Sequence, residues 1–335
     1  MKKMRYIFLI FLVILITSFT SNVYSEQPEL GDPYSNILSM DQEYRIGFSM
    51  YKELQRNSAI DNHPLIISYM QYLGNKLSRN TLDTKRNYVF FITQSDAVNA
   101  FAAPGGFVGL NKGLINLTEN EAQIAGVLSH EISHIKLRHT AELIANATTN
   151  NLPALIGILV GVFSGNPRAS IAIMQTGIGL TAQRNINLIR SNEIEADEFG
   201  ITLMGKSNYS IHEMARYFEL MQLATSSVDR DFAYFSTHPL YENRIARIKS
   251  RGIEQKNPTV NSSDDYLYIK NIISVSSDKN INESINNVKG ETIYDIHKLA
   301  LCKFMILKFQ IYDVISWKFG KYDIIFDFCN IIKKV

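Results

Sequence analysis

Cysteine is scarce in this sequence, which has only Cys302 and Cys329 among 335 residues. So few thiols exclude a disulfide-dense scaffold and a zinc site built from several cysteines. An excess of one charge is also missing, because 34 Lys and Arg stand against 32 Asp and Glu. That balance argues against a dedicated nucleic-acid binder and against a disordered acidic chain. The length allows one large domain or two ordinary ones.

Long apolar runs are lacking as well, since none reaches the roughly 17 residues of a membrane-spanning helix. The most apolar segment, residues 6–16, follows three basic residues and leads into small and polar ones. This order predicts a cleavable secretory signal over residues 1–25, with an uncleaved anchor extending through Phe19 as the alternative. Cleavage would remove three cations and no anion, and so change the formal net charge from +2 to −1. We therefore expect no nucleic-acid partner.

Capping and turn signals divide the rest of the chain into elements. Ser39 and Gln42 form a capping box that opens a helix through about Arg56, and Thr118 and Glu121 form another that opens a helix through about Ala147. The remaining predicted elements are a helix near Asp61 with Pro64 in its first turn, strands over 88–93 and on both sides of Pro104-Gly105-Gly106, and helices over 185–204 and 210–224.

Two apolar stretches, residues 152–165 and 169–182, are separated by Asn166-Pro167. Each has about 14 residues, which is too short to span a membrane. They are interpreted either as a buried helical hairpin or as a flap that faces a membrane or gates the substrate. Residues 253–265 are typical of a linker. The predicted domains are therefore a protease-sized domain over 26–252 and a helical module over 266–335.

The sequence His130-Glu131-Ile132-Ser133-His134 carries the chemistry. On a helix, the two histidines lie about 40° apart around the axis and can reach one metal ion. Glu131 is then placed to take a proton from a water that the metal activates, as in zinc hydrolases. Random placement of 7 His and 17 Glu would produce this pattern in about 0.7% of such chains, so chance is a poor explanation.

A zinc hydrolase also needs a third protein ligand. His139 is a poor candidate if the helix continues, because it would lie on the opposite side from His130. Glu193 is better, since it lies on a predicted helix and shares a face with Asp197, while Glu195 points away. Glu193 would bind the ion, and Asp197 would accept a hydrogen bond from a ligand imidazole.

These residues resemble the Ste24/Oma1-type zinc metallopeptidases, a gluzincin group, and more closely the BepA-like periplasmic proteases of Gram-negative bacteria. The resemblance extends over about residues 30–250. The motifs that carry it are Asn99-Ala100-Phe101-Ala102, Pro104-Gly105-Gly106, residues 129–139, Glu193 to Asp197, and Thr237-His238-Pro239. It implies an α+β, mostly α, zincin-like fold, and one Zn²⁺ per chain held by His130, His134 and Glu193.

The resemblance also implies catalytic roles. Glu131 would be the general base, and Asp197 would either orient a ligand imidazole, which we prefer, or donate a proton. His238 would either hold the enzyme latent in the open metal position or donate to the oxyanion, unless it only caps a helix. An extended substrate would pair with an edge strand formed by Asn99, Ala100 and Phe101 beside the Gly105-Gly106 turn.

The tail departs from the family, whose members carry an array of tetratricopeptide repeats. Residues 320–323 resemble the turn of one such repeat, but no 34-residue period follows. About three repeats are needed for stability, and 70 residues hold barely two. We interpret residues 266–335 as a shortened helical module. Cys302 and Cys329 would either pair or remain thiols.

These observations together predict a periplasmic zinc endopeptidase. By resemblance it would act on unfolded or misassembled outer-membrane proteins and interact with the outer-membrane assembly machinery. Residues 152–182 would contact a membrane peripherally. The alternative is a chaperone or assembly factor in which client binding dominates over proteolysis. The intact Glu131 argues against a catalytically silent metal scaffold.

Overall fold

The computed structural model describes residues 33–146, 182–225, 234–240, 243–253, 255, 256, 258 and 262–277. The chain divides into two compact units, Met1–Asn36 and Ile37–Val335, and all elements below belong to the second. The predicted signal peptide, nearly all of the apolar 152–182 segment, both cysteines and the tail beyond residue 277 lie outside the described residues. Those predictions therefore remain predictions.

The described part of the chain is mostly helical, with one small sheet. Its elements, in chain order, are α1 (Met40–Arg56), α2 (Pro64–Ser78), a 3-10 turn (Arg79–Thr81), β1 (Val89–Thr93), β2 (Ala100–Ala103), β3 (Phe107–Asn111), α3 (Lys112–Leu117), α4 (Glu121–Lys136), α5 (His139–Ala145), α6 (Ala182–Lys206), α7 (Ile211–Thr225), α8 (Tyr234–Thr237), α9 (Arg244–Ile253) and α10 (Asp264–Ser277). The predicted α+β, mostly α, fold class is confirmed.

Helix α1 begins where the capping box was predicted. The Gln42 amide donates to Ser39 Oγ, and the Ser39 amide donates to Gln42 Oε1 at 2.8 Å. The two bonds satisfy amides that a helix N-terminus otherwise leaves without a partner. This capping box is confirmed because it depends only on residues three positions apart.

The sheet has the order β1-β3-β2, with β3 parallel to β1 and antiparallel to β2. Gly105 and Gly106 form the β2–β3 turn with φ angles of +80° and +108°. A Cβ on Gly105 would lie 2.3 Å from the α-carbon of Tyr44, and one on Gly106 would lie 2.6 Å from the carbonyl oxygen of Asn87. Glycine is therefore required here by both the turn and its packing.

The helix that carries the histidine pair begins later than predicted. Thr118 ends α3 instead, because its amide and its hydroxyl both donate to the Ile115 carbonyl. The N-cap of α4 is Asn120, whose side-chain oxygen accepts from the Gln123 amide at 3.0 Å. The prediction of a Thr118 capping box is therefore wrong.

The same helix also ends earlier than predicted, at Lys136, and α5 starts at His139. Between them Arg138 has a left-handed φ of +59°, which costs a non-glycine residue about 1–2 kcal/mol. Its guanidinium donates to the buried Glu43 carboxylate at 3.0 Å and to the Leu38 carbonyl. These charge-assisted bonds offset the backbone cost. The prediction of one continuous helix is therefore wrong. The break could not be seen in the sequence, because neither Gly nor Pro marks it.

Helix α4 is buried on almost every side by α2, α6, α7 and β2. Its closest partner is α6, where Gly200 faces the backbone of His130: a Cβ on Gly200 would lie 3.3 Å from the His130 nitrogen. Ala196, also on α6, is fully buried. Small residues thus let α6 approach α4, which brings the predicted ligands on both helices together.

Residues 262–277 join the core of the preceding domain. Tyr266, Ile269 and Ile273 belong to the same buried apolar cluster as α4. Ser262 Oγ accepts from the Glu121 amide, the first in α4, at 3.1 Å. The first helix of the predicted tail therefore shares this core, while the domain boundary over 253–265 stays a prediction. Among the described helices, none combines the length and the apolar character needed to cross a membrane.

Candidate metal centre

Four side chains from three parts of the chain converge at the α4–α6 crossing. His130 and His134 come from α4, Glu193 from α6, and His238 from the residue after α8. One ligand atom from each lies within 4.8 Å of all the others. The structure thus brings the three predicted ligands together and adds His238 to them.

The spacing of these atoms matches a tetrahedral metal site. His130 Nε2 lies 3.0 Å from His134 Nε2 and 3.3 Å from His238 Nδ1. Glu193 Oε1 lies 3.1 Å from His238 Nδ1 and 3.4 Å from His134 Nε2. Zinc–nitrogen bonds of about 2.05 Å in a tetrahedron separate the ligand atoms by about 3.3 Å. A bound cation would accept a lone pair from each of the three histidines and would neutralise the Glu193 carboxylate.

The two helix histidines have different electrostatic surroundings. Burial alone would lower the pKa of His130, but the Glu193 and Asp197 carboxylates outweigh burial and raise that pKa to about 9. Burial dominates for His134, whose pKa lies well below its ordinary value. A metal ion bound at neutral pH must therefore displace a proton from His130 but finds His134 already neutral.

Asp197 and Arg244 form the support behind the cluster. Asp197 Oδ1 lies 3.0 Å from His130 Nδ1, on the opposite side of the ring from the cluster. Both Asp197 oxygens accept from the Arg244 guanidinium, at 2.8 and 2.9 Å. Burial would raise the pKa of Asp197, but Arg244 and His130 outweigh it and lower that pKa. Asp197 is thus held as a carboxylate that faces a ligand imidazole.

Arg244 reaches further than Asp197 and was not singled out from the sequence. Its Nη1 lies 2.8 Å from Glu193 Oε2 and donates to the Pro239 carbonyl at 2.9 Å. Arg244 therefore connects two acidic residues of α6 to the segment that carries His238. The only signal in the sequence is general, namely that two buried carboxylates require a buried cation. Its position 47 residues after Asp197 cannot be read from local spacing.

Glu131 is fully buried beside the cluster. Its Oε1 lies 3.4 Å from His238 Nε2, and burial raises the pKa of its carboxyl group. Neither oxygen has a hydrogen-bond partner within the described part of the chain. A buried carboxylate is costly unless it is paired, and the contact with His238 offsets part of that cost.

His139 does not lie where the sequence placed it. Because α4 ends at Lys136, the His139 ring turns back and its Nδ1 lies 2.9 Å from His134 Nδ1. It is not among the four candidate ligands. That His139 is not a ligand stays a prediction, but the reason given for it is wrong. Glu195 lies away from the cluster as expected, with its Oε2 3.7 Å from His139 Nε2 and its side chain 58% exposed.

The residues predicted to bind substrate fall into two groups. Ala100 and Phe101 lie on β2, an edge of the sheet in the described part of the chain, with Asn99 just before them. The Asn99 carbonyl accepts from the Asn111 amide. Gly105 and Gly106 instead form the turn and contact Tyr44 and Asn87. Their contacts therefore fit a structural role in shaping the hairpin.

The register turns the backbone amides and carbonyls of two buried alanines of β2 away from β3. The Asn99–Asn111 bond and the pairing Ala100↔Leu110 make residues 99, 101 and 103 the hydrogen-bonded partners of β3. The amides and carbonyls of Ala100 and Ala102 then point to the other side. Val98, the preceding residue that points to this side, is already bonded: its carbonyl accepts from the Tyr234 amide at 3.2 Å. The segment that carries His238 is thus attached to the same edge.

The site combines two histidines one turn apart on a helix with a glutamate on the crossing helix and a carboxylate beside the first histidine. This ligand pattern is that of zinc metallopeptidases of the gluzincin kind. The profile of peptidase family M48 matches residues 68–252. The chain belongs to this family, and its buried cluster of three histidines and a glutamate is consistent with one zinc ion.

Named relatives agree with this membership. The chain is 30% identical over 245 residues to the beta-barrel assembly-enhancing protease of Escherichia coli O157:H7, covering 72% of this chain and 50% of that protein. It is 32% identical over 229 residues to a putative beta-barrel assembly-enhancing protease of Vibrio cholerae, covering 68% and 47%. A mitochondrial metalloendopeptidase OMA1 of Schizosaccharomyces pombe is 25% identical over 218 residues, covering 64% and 62%. The chain spans about half the length of the two bacterial relatives.

Proposed function

We propose that this protein is a zinc endopeptidase that cuts extended segments of unfolded or misassembled proteins. The observation that carries the proposal is the convergence of His130, His134 and Glu193 on one point, with the fully buried Glu131 beside them. Zinc bound there would polarise the scissile carbonyl and lower the pKa of a water toward about 7. The chain's own residues supply the remaining chemistry.

Glu131 is the general base of the proposed reaction. It takes a proton from the water as the oxygen attacks the peptide carbonyl, and it passes that proton to the amine that leaves. A carboxyl group with a raised pKa suits both transfers, because it binds the proton firmly enough to accept it and can still release it. Burial provides this property at Glu131.

Asp197 positions His130 in this proposal and does not donate a proton. Its two oxygens are occupied by Arg244 and one of them also faces His130 Nδ1. The lowered pKa keeps Asp197 ionised at neutral pH. A carboxylate in this place holds the proton on His130 Nδ1 and leaves Nε2 free for the metal.

His238 closes the site in the proposed resting state. A catalytic zinc site keeps its fourth position open for water or substrate. In this proposal His238 Nδ1, which lies 3.3 Å from His130 Nε2 and 3.1 Å from Glu193 Oε1, takes that position, while its Nε2 lies 3.4 Å from Glu131 Oε1. The ring is also stacked on Tyr234, with centroids 4.7 Å apart. His238 thus stands where the water and its contact with the base are needed, which favours the latch over the oxyanion donor.

Replacement of His238 by alanine should raise the cleavage rate of unfolded casein. If the open form makes up about a tenth of the molecules, removal of the latch increases the rate about tenfold. Zinc content should stay at one per chain, because three protein ligands remain. The measurement is initial rate and metal content for the purified protein, with His212→Ala, a change on α7 outside the cluster, as the control. A collapse of activity in His238→Ala would identify an oxyanion donor and contradict the latch.

The edge of β2 that points away from β3 is the proposed binding site for the substrate backbone, and its buried alanines have to be uncovered when a peptide binds. Ala100 and Ala102 present amides and carbonyls there, and their small side chains let a second backbone approach. β2 also packs on α4, the helix that carries His130 and His134. The Tyr234 amide already bonds to this edge at the Val98 carbonyl. A peptide added as a strand would therefore lie next to the segment that carries His238 and would compete with that bond.

Replacement of Ala102 by proline should weaken substrate binding with little effect on the fold. Proline is tolerated on an edge strand when its missing amide faces outward, and one lost hydrogen bond plus the obstruction by the ring should raise KM about tenfold. The readout is KM for casein in the His238→Ala background, with the melting temperature measured in parallel. Ala103→Pro, which removes an amide that faces β3, is the contrasting variant and should lower the melting temperature. An unchanged KM in Ala102→Pro would exclude this edge.

The substrate class and location extend the proposal. Two relatives are named for enhancing β-barrel assembly, and the signal-like start of this chain fits export, so we place the enzyme in the periplasm with misassembled outer-membrane proteins as substrates. The alternative is an assembly factor whose clients are bound more than cut. One zinc per chain without casein cleavage, even after His238→Ala, would favour that alternative. Absence of bound zinc would refute the peptidase.

A further inference from the structure

His139 contacts a candidate zinc ligand from behind. We propose that His139 is a positioning residue for His134: its Nδ1 accepts a hydrogen bond from His134 Nδ1–H and thereby directs His134 Nε2 at the metal. The inference rests on the proposed zinc site and adds a partner for the second histidine of the HExxH motif. The first histidine already has such a partner in Asp197.

The ring orientation of His134 requires this direction of donation. Its Nε2 lies 3.0 Å from His130 Nε2 and 3.4 Å from Glu193 Oε1, inside the cluster. A nitrogen that binds a metal must offer a lone pair, so the proton of the neutral His134 ring belongs on Nδ1. Nδ1 lies 2.9 Å from His139 Nδ1. His139 Nδ1 must therefore be the acceptor.

The other side of His139 can take the remaining proton. If Nδ1 accepts, the proton of the neutral His139 ring is on Nε2. That nitrogen lies 3.7 Å from Glu195 Oε2, and the half-exposed Glu195 carboxylate attracts an N–H group. The contact is too long for a hydrogen bond, so the tautomer of His139 in the proposal is determined by the bond from His134, and Glu195 contributes only its charge.

The fold holds His139 in this place through Arg138. The left-handed backbone at Arg138 ends α4 and turns the next residue back toward His134. Arg138 is fastened to Glu43 and to the Leu38 carbonyl, so α1 supports the turn. His139 is itself buried. A buried imidazole on a rigid turn is suited to orient a neighbour, because little conformational entropy is left to lose.

The test compares two substitutions of His139 in the purified protein. His139→Leu keeps the bulk but removes the acceptor, whereas His139→Asn places an amide oxygen close to the position of Nδ1. Loss of such a partner typically lowers metal affinity 10–100-fold, so His139→Leu should lose about that much and His139→Asn should stay within about threefold of the wild type. Zinc affinity is measured by competition with a chelator, with His212→Leu as the control and thermal unfolding in excess chelator as the test of folding.

A second measurement uses only the wild-type protein. Nuclear magnetic resonance of the zinc-loaded, ¹⁵N-histidine-labelled protein should show a slowly exchanging His134 Nδ1 proton and a coupling across the hydrogen bond to His139 Nδ1. Absence of that coupling overturns the proposal. Because this measurement uses the wild-type protein, it remains decisive even if His139→Leu does not fold. Unchanged zinc affinity in His139→Leu, or an equal loss in His139→Asn, also overturns it. A wild-type protein that binds no zinc would instead refute the proposed function, so the two failures are distinguishable.

Discussion

Replacement of Glu131 by glutamine should abolish casein cleavage almost completely while one zinc ion per chain is retained. Loss of a general base typically reduces rates by about 10²–10⁴-fold. Glutamine is nearly the same size, so the buried site remains filled, but its amide cannot take the proton from the water. Zinc should still bind, since Glu131 is not among the four candidate ligands.

The comparison is best made in the His238→Ala background, where the site is open. Initial rates and metal content of Glu131→Gln are measured beside Glu198→Gln, which changes a carboxylate on α6 that pairs with Arg247 and Arg251 at the surface. Glu198→Gln should cleave at the parent rate. Substantial cleavage by Glu131→Gln would show that another group acts as the base.

Replacement of Arg244 by methionine should destabilise the zinc-free protein by about 3–5 kcal/mol, because it removes the buried guanidinium that pairs with the Glu193 and Asp197 carboxylates and leaves His130 to face both of them. Both carboxylates have pKa values lowered partly by Arg244, against burial, which raises them. The guanidinium also holds the Pro239 carbonyl, so the His238 segment should loosen. Excess zinc should restore part of the stability, because the ion is a second cation for Glu193.

Arg247→Met on the same helix is the matched control. Arg247 pairs with Glu198, and both side chains are about a third exposed, so its removal should change stability by at most about 1 kcal/mol. Denaturant unfolding of both variants, with chelator and with zinc, measures the difference. If Arg244→Met were as stable as Arg247→Met without zinc, the buried pair would not support the site as described.

The features that could be predicted from the sequence depend on neighbours along the chain. The Ser39 capping box, Pro64 in the first turn of α2 and the three strands all follow from residues a few positions apart. The break at Arg138 could not be predicted, because its cause is a bond to Glu43, 95 residues earlier. The wrong interpretation of His139 followed from that missed break.

The site divides in the same way. The sequence by itself determined that His130 and His134 share one helix face, with Glu131 next to His130 in the chain. It also determined that Glu193 and Asp197 share a face of another helix. Helical periodicity sets both relations over a few residues. Only the tertiary structure decided that Arg244 contacts both acidic residues, that His238 joins the cluster, and that His139 lies behind His134. Those contacts depend on how α4 and α6 cross, on the segment before α9, and on the turn held by α1. Their energies come from burying charges and rings together, which no local pattern records.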